Sequence, residues 1–261
     1  MADKIKITNA DLTDDLIKFY NAHTVSFENV TVPIDFRVDI DNQCYAFATP
    51  GTPDVEYNWD KFSTDILVLT GGDDAFGAFE GFFVLQVYGG AGDDWIGEST
   101  YNGGMFMDGG DGNDVLGGYS GGRETMLGGN GNDTLEIVGP DKATGGAGAD
   151  TFVMGQFGRF SSSDGSAFIC DLQTEGPDHD TIQLGGYPFA GHDYADFSAA
   201  AADGTAALRY AGGYTYLDLD LNGDHLPDTQ VAHIKGVIAP DLVNSIILMP
   251  HSSALFGMAG A

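Results

Sequence analysis

Aspartates recur through the middle of the chain at positions 74, 94, 114, 133 and 150, separated by 20, 20, 19 and 17 residues. Four of them close one phrase: Gly89-Gly90-Ala91-Gly92-Asp93-Asp94, Gly109-Gly110-Asp111-Gly112-Asn113-Asp114, Gly128-Gly129-Asn130-Gly131-Asn132-Asp133 and Gly145-Gly146-Ala147-Gly148-Ala149-Asp150. Each is followed two positions later by a large apolar residue: Ile96, Leu116, Leu135 and Phe152. A degenerate copy, Gly71-Gly72-Asp73-Asp74-Ala75-Phe76, precedes them. The pattern, GGxGxDxU, points to calcium chemistry. Glycine permits positive φ and close backbone approach, so carbonyl oxygens can turn toward one point while the aspartate adds a hard carboxylate. Calcium takes six to eight oxygens at about 2.3–2.6 Å. Adjacent strands lie about 4.7–4.9 Å apart, so an ion midway between two stacked turns reaches both.

Such ligands need an element that stacks turns. A spacing near twenty residues is two nonapeptides, so successive copies are expected one full coil apart on the same side of a parallel β-roll, with the apolar residues Phe76, Ile96, Leu116, Leu135 and Phe152 pointing inward. The opposite turns, near Tyr101–Gly104, Gly117–Glu124 and Gly139–Lys142, have lost the phrase, and Glu124 is not counted as a replacement ligand. One row of about three or four ions is expected, held at Asp74 and by the glycines, Asp111, Asn130 and closing aspartates of the four good copies. A second candidate is Asp218-x-Asp220-x-Asn222-Gly223-Asp224, which has the alternating oxygens and Gly turn of a calcium loop. It has Thr229 where an EF-hand would place its bidentate Glu, and an ordinary Asp/Asn turn is the competing reading.

The repeat resembles the RTX (repeats-in-toxin) nonapeptide copy for copy. That resemblance implies a right-handed parallel β-roll with Ca²⁺ between turns, export by type I secretion machinery, and folding on reaching calcium outside the cell. The C-terminal third is similar to the region after the repeats in serralysin-type proteases, through Phe168-Ile-Cys-Asp171-Leu172, Gly176-Pro-Asp178-His-Asp180-Thr-Ile-Gln-Leu184 and Ala207–Asp228. Leu172 and Gln183 stand where that family has Phe and Asp, and Asp171 and Asp180 are left out of the metal set.

Composition agrees with a folded, cation-seeking chain. The 261 residues are 43% hydrophobic, more than a disordered chain carries, and 39 acidic residues face 10 basic ones for a formal charge of −29. Nucleic acid is excluded as an expected partner, since phosphate binding needs clustered Lys and Arg. No apolar run reaches the ~18 residues of a membrane span. The first residues lack an apolar h-region, so a secreted protein without a conventional cleaved signal peptide is expected. Cys44 and Cys170 fit no metal spacing; one disulfide and two thiols are both open.

Glycine divides the chain, because 25 of the 39 fall within residues 71–155. An all-β protein is expected: a small β-rich cap with one helix over 1–66, the roll over 67–158, an antiparallel β region over 159–250, and a tail over 251–261. In the cap, Thr13 reads as an N-cap for a helix to about Tyr20, and Val32 to Ile40 alternates like a strand with one buried face. In the C-terminal region, strands are expected at Ala167–Cys170, Thr181–Leu184, Ala207–Tyr210, Tyr214–Leu219, Thr229–Ile234 and Ser245–Leu248, with a short helix near Asp196–Ala202.

No catalytic residues are assigned. None of the six histidines (23, 179, 192, 225, 233, 251) forms HExxH, so the zinc protease site is absent. Gly118-Tyr119-Ser120-Gly121-Gly122 matches GxSxG in letters, but it lies in Gly-rich coil rather than between strand and helix. The expected role is therefore binding or structural. The alternatives are an adhesin or surface-matrix component recognising a glycan or protein through residues 1–66, and a hydrolase or toxin fragment.

Overall fold

The computed structural model describes residues 4–8, 24–29, 34–38, 43–48, 55–58, 66–78, 86–98, 104–118, 123–155, 165–185 and 194–249. The expected helix at Thr13–Tyr20, Ser120 and the tail from 251 lie outside them. The strands in chain order are β1 Lys4–Thr8, β2 Thr24–Asn29, β3 Ile34–Val38, β4 Gln43–Ala48, β5 Val55–Asn58, β6 Ile66–Val68 and β7 Ala75–Ala78. Through the repeats run β8 Gln86–Ala91, β9 Trp95–Glu98, β10 Phe106–Asp111, β11 Val115–Gly118, β12 Thr125–Asn130, β13 Thr134–Ile137, β14 Lys142–Ala147 and β15 Thr151–Gly155. Then come β16 Ala167–Ile169, β17 Thr181–Gly185, β18 Ala206–Ala211, β19 Tyr214–Leu219, β20 Thr229–Lys235 and β21 Ile246–Leu248, with helices α1 Phe197–Ala202 and α2 Ala239–Leu242.

These strands form two sheets, one of eleven strands in the order β1-β2-β6-β8-β10-β12-β14-β16-β20-β19-β18 and one of ten in the order β21-β17-β15-β13-β11-β9-β7-β3-β4-β5. The chain alternates between them, so each pair such as β8 and β9 is one coil of a parallel β-solenoid. The repeat spacing sets the register. Gly90, Gly110, Gly129 and Gly146 are direct partners across the first sheet, and Trp95, Val115, Thr134 and Thr151 across the second.

Between the sheets the core is two facing columns. The first sheet contributes Leu67, Val87, Met107, Met126, Ala143 and Ile169, and the second Phe76, Ile96, Leu116, Leu135, Phe152 and Ile182, all at most 1% exposed. The apolar position of the repeat therefore points inward as expected. Each fully buried Val, Leu, Ile, Met or Phe among them contributes about 1.5–3 kcal/mol. Period-two alternation is what allows the same strand to show an outer face to solvent.

The alternating segment before the repeats forms β3, which begins right after Pro33 and pairs antiparallel with β4 and parallel with β7. Strand β2 likewise pairs parallel with β6. The N-terminal strands thus extend the two sheets of the roll. At the other end, antiparallel pairing is confined to β18, β19 and β20. Strands β16, β17 and β21 pair parallel and continue the coils. Helix α1 occupies the expected Ala-rich stretch, with Asp196 accepting from the Ala199 amide as N-cap. Cys170 carries a free thiol.

Candidate metal-binding row

The four Gly-Gly phrases form the turns from the first sheet to the second, stacked along one edge. In each, two glycines have positive φ: Gly90 and Gly92 at 113° and 114°, Gly110 and Gly112 at 109° and 144°, Gly129 and Gly131 at 124° and 134°, Gly146 and Gly148 at 111° and 131°. The first glycine of each phrase is required for a different reason. A Cβ on Gly109 would meet Asp114 Oδ2 and, at 2.7 Å, the Gly128 carbonyl oxygen of the next coil; one on Gly89 would meet Asp94 Oδ2 and, at 2.5 Å, the Gly109 oxygen. Gly128 repeats this with Asp133 Oδ2 and the Gly145 oxygen, and Gly145 faces Asp150 Oδ2. Glycine thus keeps open a notch lined by carboxylate and carbonyl oxygens.

The closing aspartates are buried, at most 2% exposed for Asp94, Asp114, Asp133 and Asp150, and they form a ladder. The amide of Asp74 donates to Asp94 Oδ1, that of Asp94 to Asp114 Oδ1, that of Asp114 to Asp133 Oδ1 and that of Asp133 to Asp150 Oδ1, at 2.8–2.9 Å. The Asp150 amide continues it to Asp180 Oδ1 at 2.9 Å. The second oxygen separates the rungs. In Asp94, Asp114, Asp133 and Asp150, Oδ2 is buried and has no hydrogen-bond partner. At the two ends it is matched: Asp74 Oδ2 accepts from the Thr70 amide and hydroxyl, both at 2.7 Å, and Asp180 Oδ2 from the Gln173 amide at 2.7 Å. In the degenerate copy Leu69 and Thr70 occupy the Gly-Gly positions, so the protein itself supplies the donors there.

Electrostatics follow. Burial, with smaller repulsion from neighbouring aspartates, raises Asp94 to about 8, Asp133 to about 7, and Asp114 and Asp150 to about 6. A buried carboxylate with an unmatched oxygen must acquire a proton or a cation. The oxygens present are hard, and glycine lets carbonyls approach, so the residues fit calcium. The arrangement supplies one carboxylate per turn; among the described residues no three His, Cys, Asp or Glu side chains gather into a metal cluster.

Other predicted ligands are placed differently. Asp111 and Asn130 stand on the exposed side of the turns, where Asn130 Nδ2 donates to Asp111 Oδ1 at 2.7 Å. A parallel outer ladder runs beside them: the Asp93 amide donates to Asp73 Oδ1, Asn113 to Asp93, Asn132 to Asn113 and Ala149 to Asn132. In the C-terminal loop, Asp218 pairs with Arg209 through both guanidinium contacts, at 2.5 and 3.2 Å. Buried Asp220 accepts from the amides of Asn222, Gly223 and His225, while Asn222 and Asp224 accept from the amides two residues on. The loop is a set of Asx turns whose carboxylates already have protein donors.

Asp180 and Asp171 lie outside the metal set expected from sequence, yet both belong to this edge. Asp171 accepts from the Gly145 and Gly146 amides at 2.9 Å each, just past the point where the register of β14 with β16 stops at Ile169. The signal for Asp180 is the tripeptide Asp180-Thr-Ile182, which repeats Asp133-Thr-Leu135 and Asp150-Thr-Phe152. The chain matches no model of a known protein family, and no curated protein is significantly similar to it.

Proposed function

We propose that this is a secreted calcium-binding protein of the RTX type, whose roll folds on Ca²⁺ outside the cell and whose role is binding or structural rather than catalytic. The reading rests on one observation above all: four stacked, buried aspartates each present an oxygen without a hydrogen-bond partner at a notch that only glycine leaves open. Calcium would supply positive charge there and would accept these oxygens with little demand on coordination geometry. Asp94, Asp114, Asp133 and Asp150 would hold it, with the carbonyls of the flanking glycines. The ion row belongs to these four turns, with Asp74 and Asp180 as matched ends. The acidic composition supports the same reading, because 39 acids against 10 bases in a compact fold call for bound cations. Export through type I secretion machinery follows from the RTX resemblance of the repeats, and an unfolded chain inside a low-calcium cell is what such export would carry.

The test is calcium stoichiometry on a folded sample, with circular dichroism before and after EGTA. The proposal expects several ions per chain and loss of β signal on chelation. A full β spectrum in thoroughly calcium-free protein, with no calcium uptake on titration, removes it.

A further inference from the structure

The outer face of the first sheet carries, at its C-terminal end, a line of side chains that the calcium chemistry does not use. Arg209, Tyr216, His233, Phe168 and Lys142 are register partners across β18, β19, β20, β16 and β14. Five neighbouring strands therefore place one residue each on a line of about 19 Å, at ~4.8 Å per strand. Leu217, Ile234 and Ile169, the next residues along three of those strands, are buried, which makes this row the outer one. The rings touch: Phe168 and His233 have centroids 4.4 Å apart, Tyr216 and His233 5.0 Å, and the Arg209 guanidinium lies 4.9 Å from the centre of the Tyr216 ring. Phe168 is nonetheless 40% exposed. An exposed aromatic surface rimmed by polar groups marks recognition rather than packing.

Its charge is opposite to that of the molecule. The chain has 39 acidic residues and 10 basic ones, but this line begins and ends on cations. Lys235, the register partner of Tyr214 beside it, is exposed as well. The one acid engaged in the row, Asp218, serves to hold Arg209 against the ring. An anion repelled elsewhere is attracted here.

We propose that this row binds an acidic polysaccharide, a chain of carboxylated sugar rings. The apolar C–H faces of the sugars would lie on Phe168 and Tyr216, and their carboxylates would pair with Lys142 and Lys235. A line across five strands suits a chain rather than a single sugar. A peptide strand would seek main-chain hydrogen bonds at a sheet edge, whereas this row lies on a sheet face. The inference goes beyond the calcium reading and does not rest on it.

The test is titration calorimetry of the full calcium-loaded chain with oligogalacturonate, free calcium held constant, against neutral cello-oligosaccharide and polyglutamate. Circular dichroism of every variant in the same buffer reports that it is folded, whether or not calcium is bound. Expected are binding of oligogalacturonate alone, affinity about tenfold lower in Phe168→Ala, and a smaller, salt-sensitive loss in Lys142→Ala. No binding of oligogalacturonate, unchanged affinity in both variants, or equal binding of polyglutamate overturns the proposal.

Discussion

The Gly-Gly turns of the roll and the Asp218–Asp228 loop are written in nearly the same letters, alternating Asp, Asn and Gly, and they end in opposite electrostatic states. In the loop, every carboxylate described has found a donor, from Arg209, from nearby amides or, for Asp228, from the Thr229 hydroxyl. In the roll, each aspartate satisfies one oxygen on the neighbouring coil and leaves the other bare. The difference is where donors come from. A loop can curl its own amides around a carboxylate within five residues, whereas stacked coils already spend their amides on the ladder. An Asp-rich motif therefore signals a cation site only when the surrounding fold has no N–H to spare.

Chelation is the strongest way to break that comparison. Removing calcium from the folded chain is expected to abolish the β signal of the roll, read by circular dichroism, because each of four unmatched buried carboxylates must then stay charged without a partner or take up a proton. Next in size are the glycines. Gly110→Ala, at φ 109° and with the Gly90 carbonyl oxygen in the path of its Cβ, is expected to cost about 1–3 kcal/mol in denaturant unfolding. Gly212→Ala, in the β18–β19 hairpin at φ 62° with open space around it, should cost roughly 1 kcal/mol or less.

Single carboxylates sharpen the contrast. Asp114→Asn should remove about one ion and weaken the rest of the row roughly tenfold, by calcium titration, while Asp224→Asn and Asp74→Asn leave the count unchanged. Acidity should act in opposite directions on the two regions. In calcium-free protein the aspartates of the roll titrate at about 6 to 8, above the ordinary carboxylate range, so folded chain binds more protons than unfolded. Stability of the calcium-free roll then falls as pH rises from about 4 toward 8, and calcium affinity rises over the same window as protons leave. Asp220 differs: burial pushes it up, but the amides of Gly223, His225 and Asn222 outweigh this and hold it below its usual value. Its contribution is present at neutral pH and is lost only in acid, so exchange protection of the loop should decline at low pH while that of the calcium-free roll improves.

The coil register was legible because the repeat fixes it: 20, 20, 19 and 17 residues per step allow only one stacking, and the inward Ile96, Leu116, Leu135 and Phe152 follow from alternation. Asp180 was harder to see, since 30 residues separate it from Asp150 and Glu175 and Asp178 stand in place of glycines. The unmatched oxygens were not legible at all. Thr70 completes one end rung from a glycine position of its own phrase and Gln173 the other from outside its phrase, and no spacing rule announces such donors. Similarly, the short runs that became β16, β17 and β21 looked like any other strands, because alternation identifies a buried face and not the direction of the partner.

The carboxylate of Asp171 carries a last consequence. Strand β16 spans only three residues and meets β14 at Lys142 and Ala143, which leaves the Gly145–Gly146 end of β14 without a strand partner on that side. By taking those two N–H groups onto a side chain, Asp171 acts as a splice between long repeat strands and a short one, so the sheet narrows at β16 and continues to β20 without leaving donors open to a foreign strand.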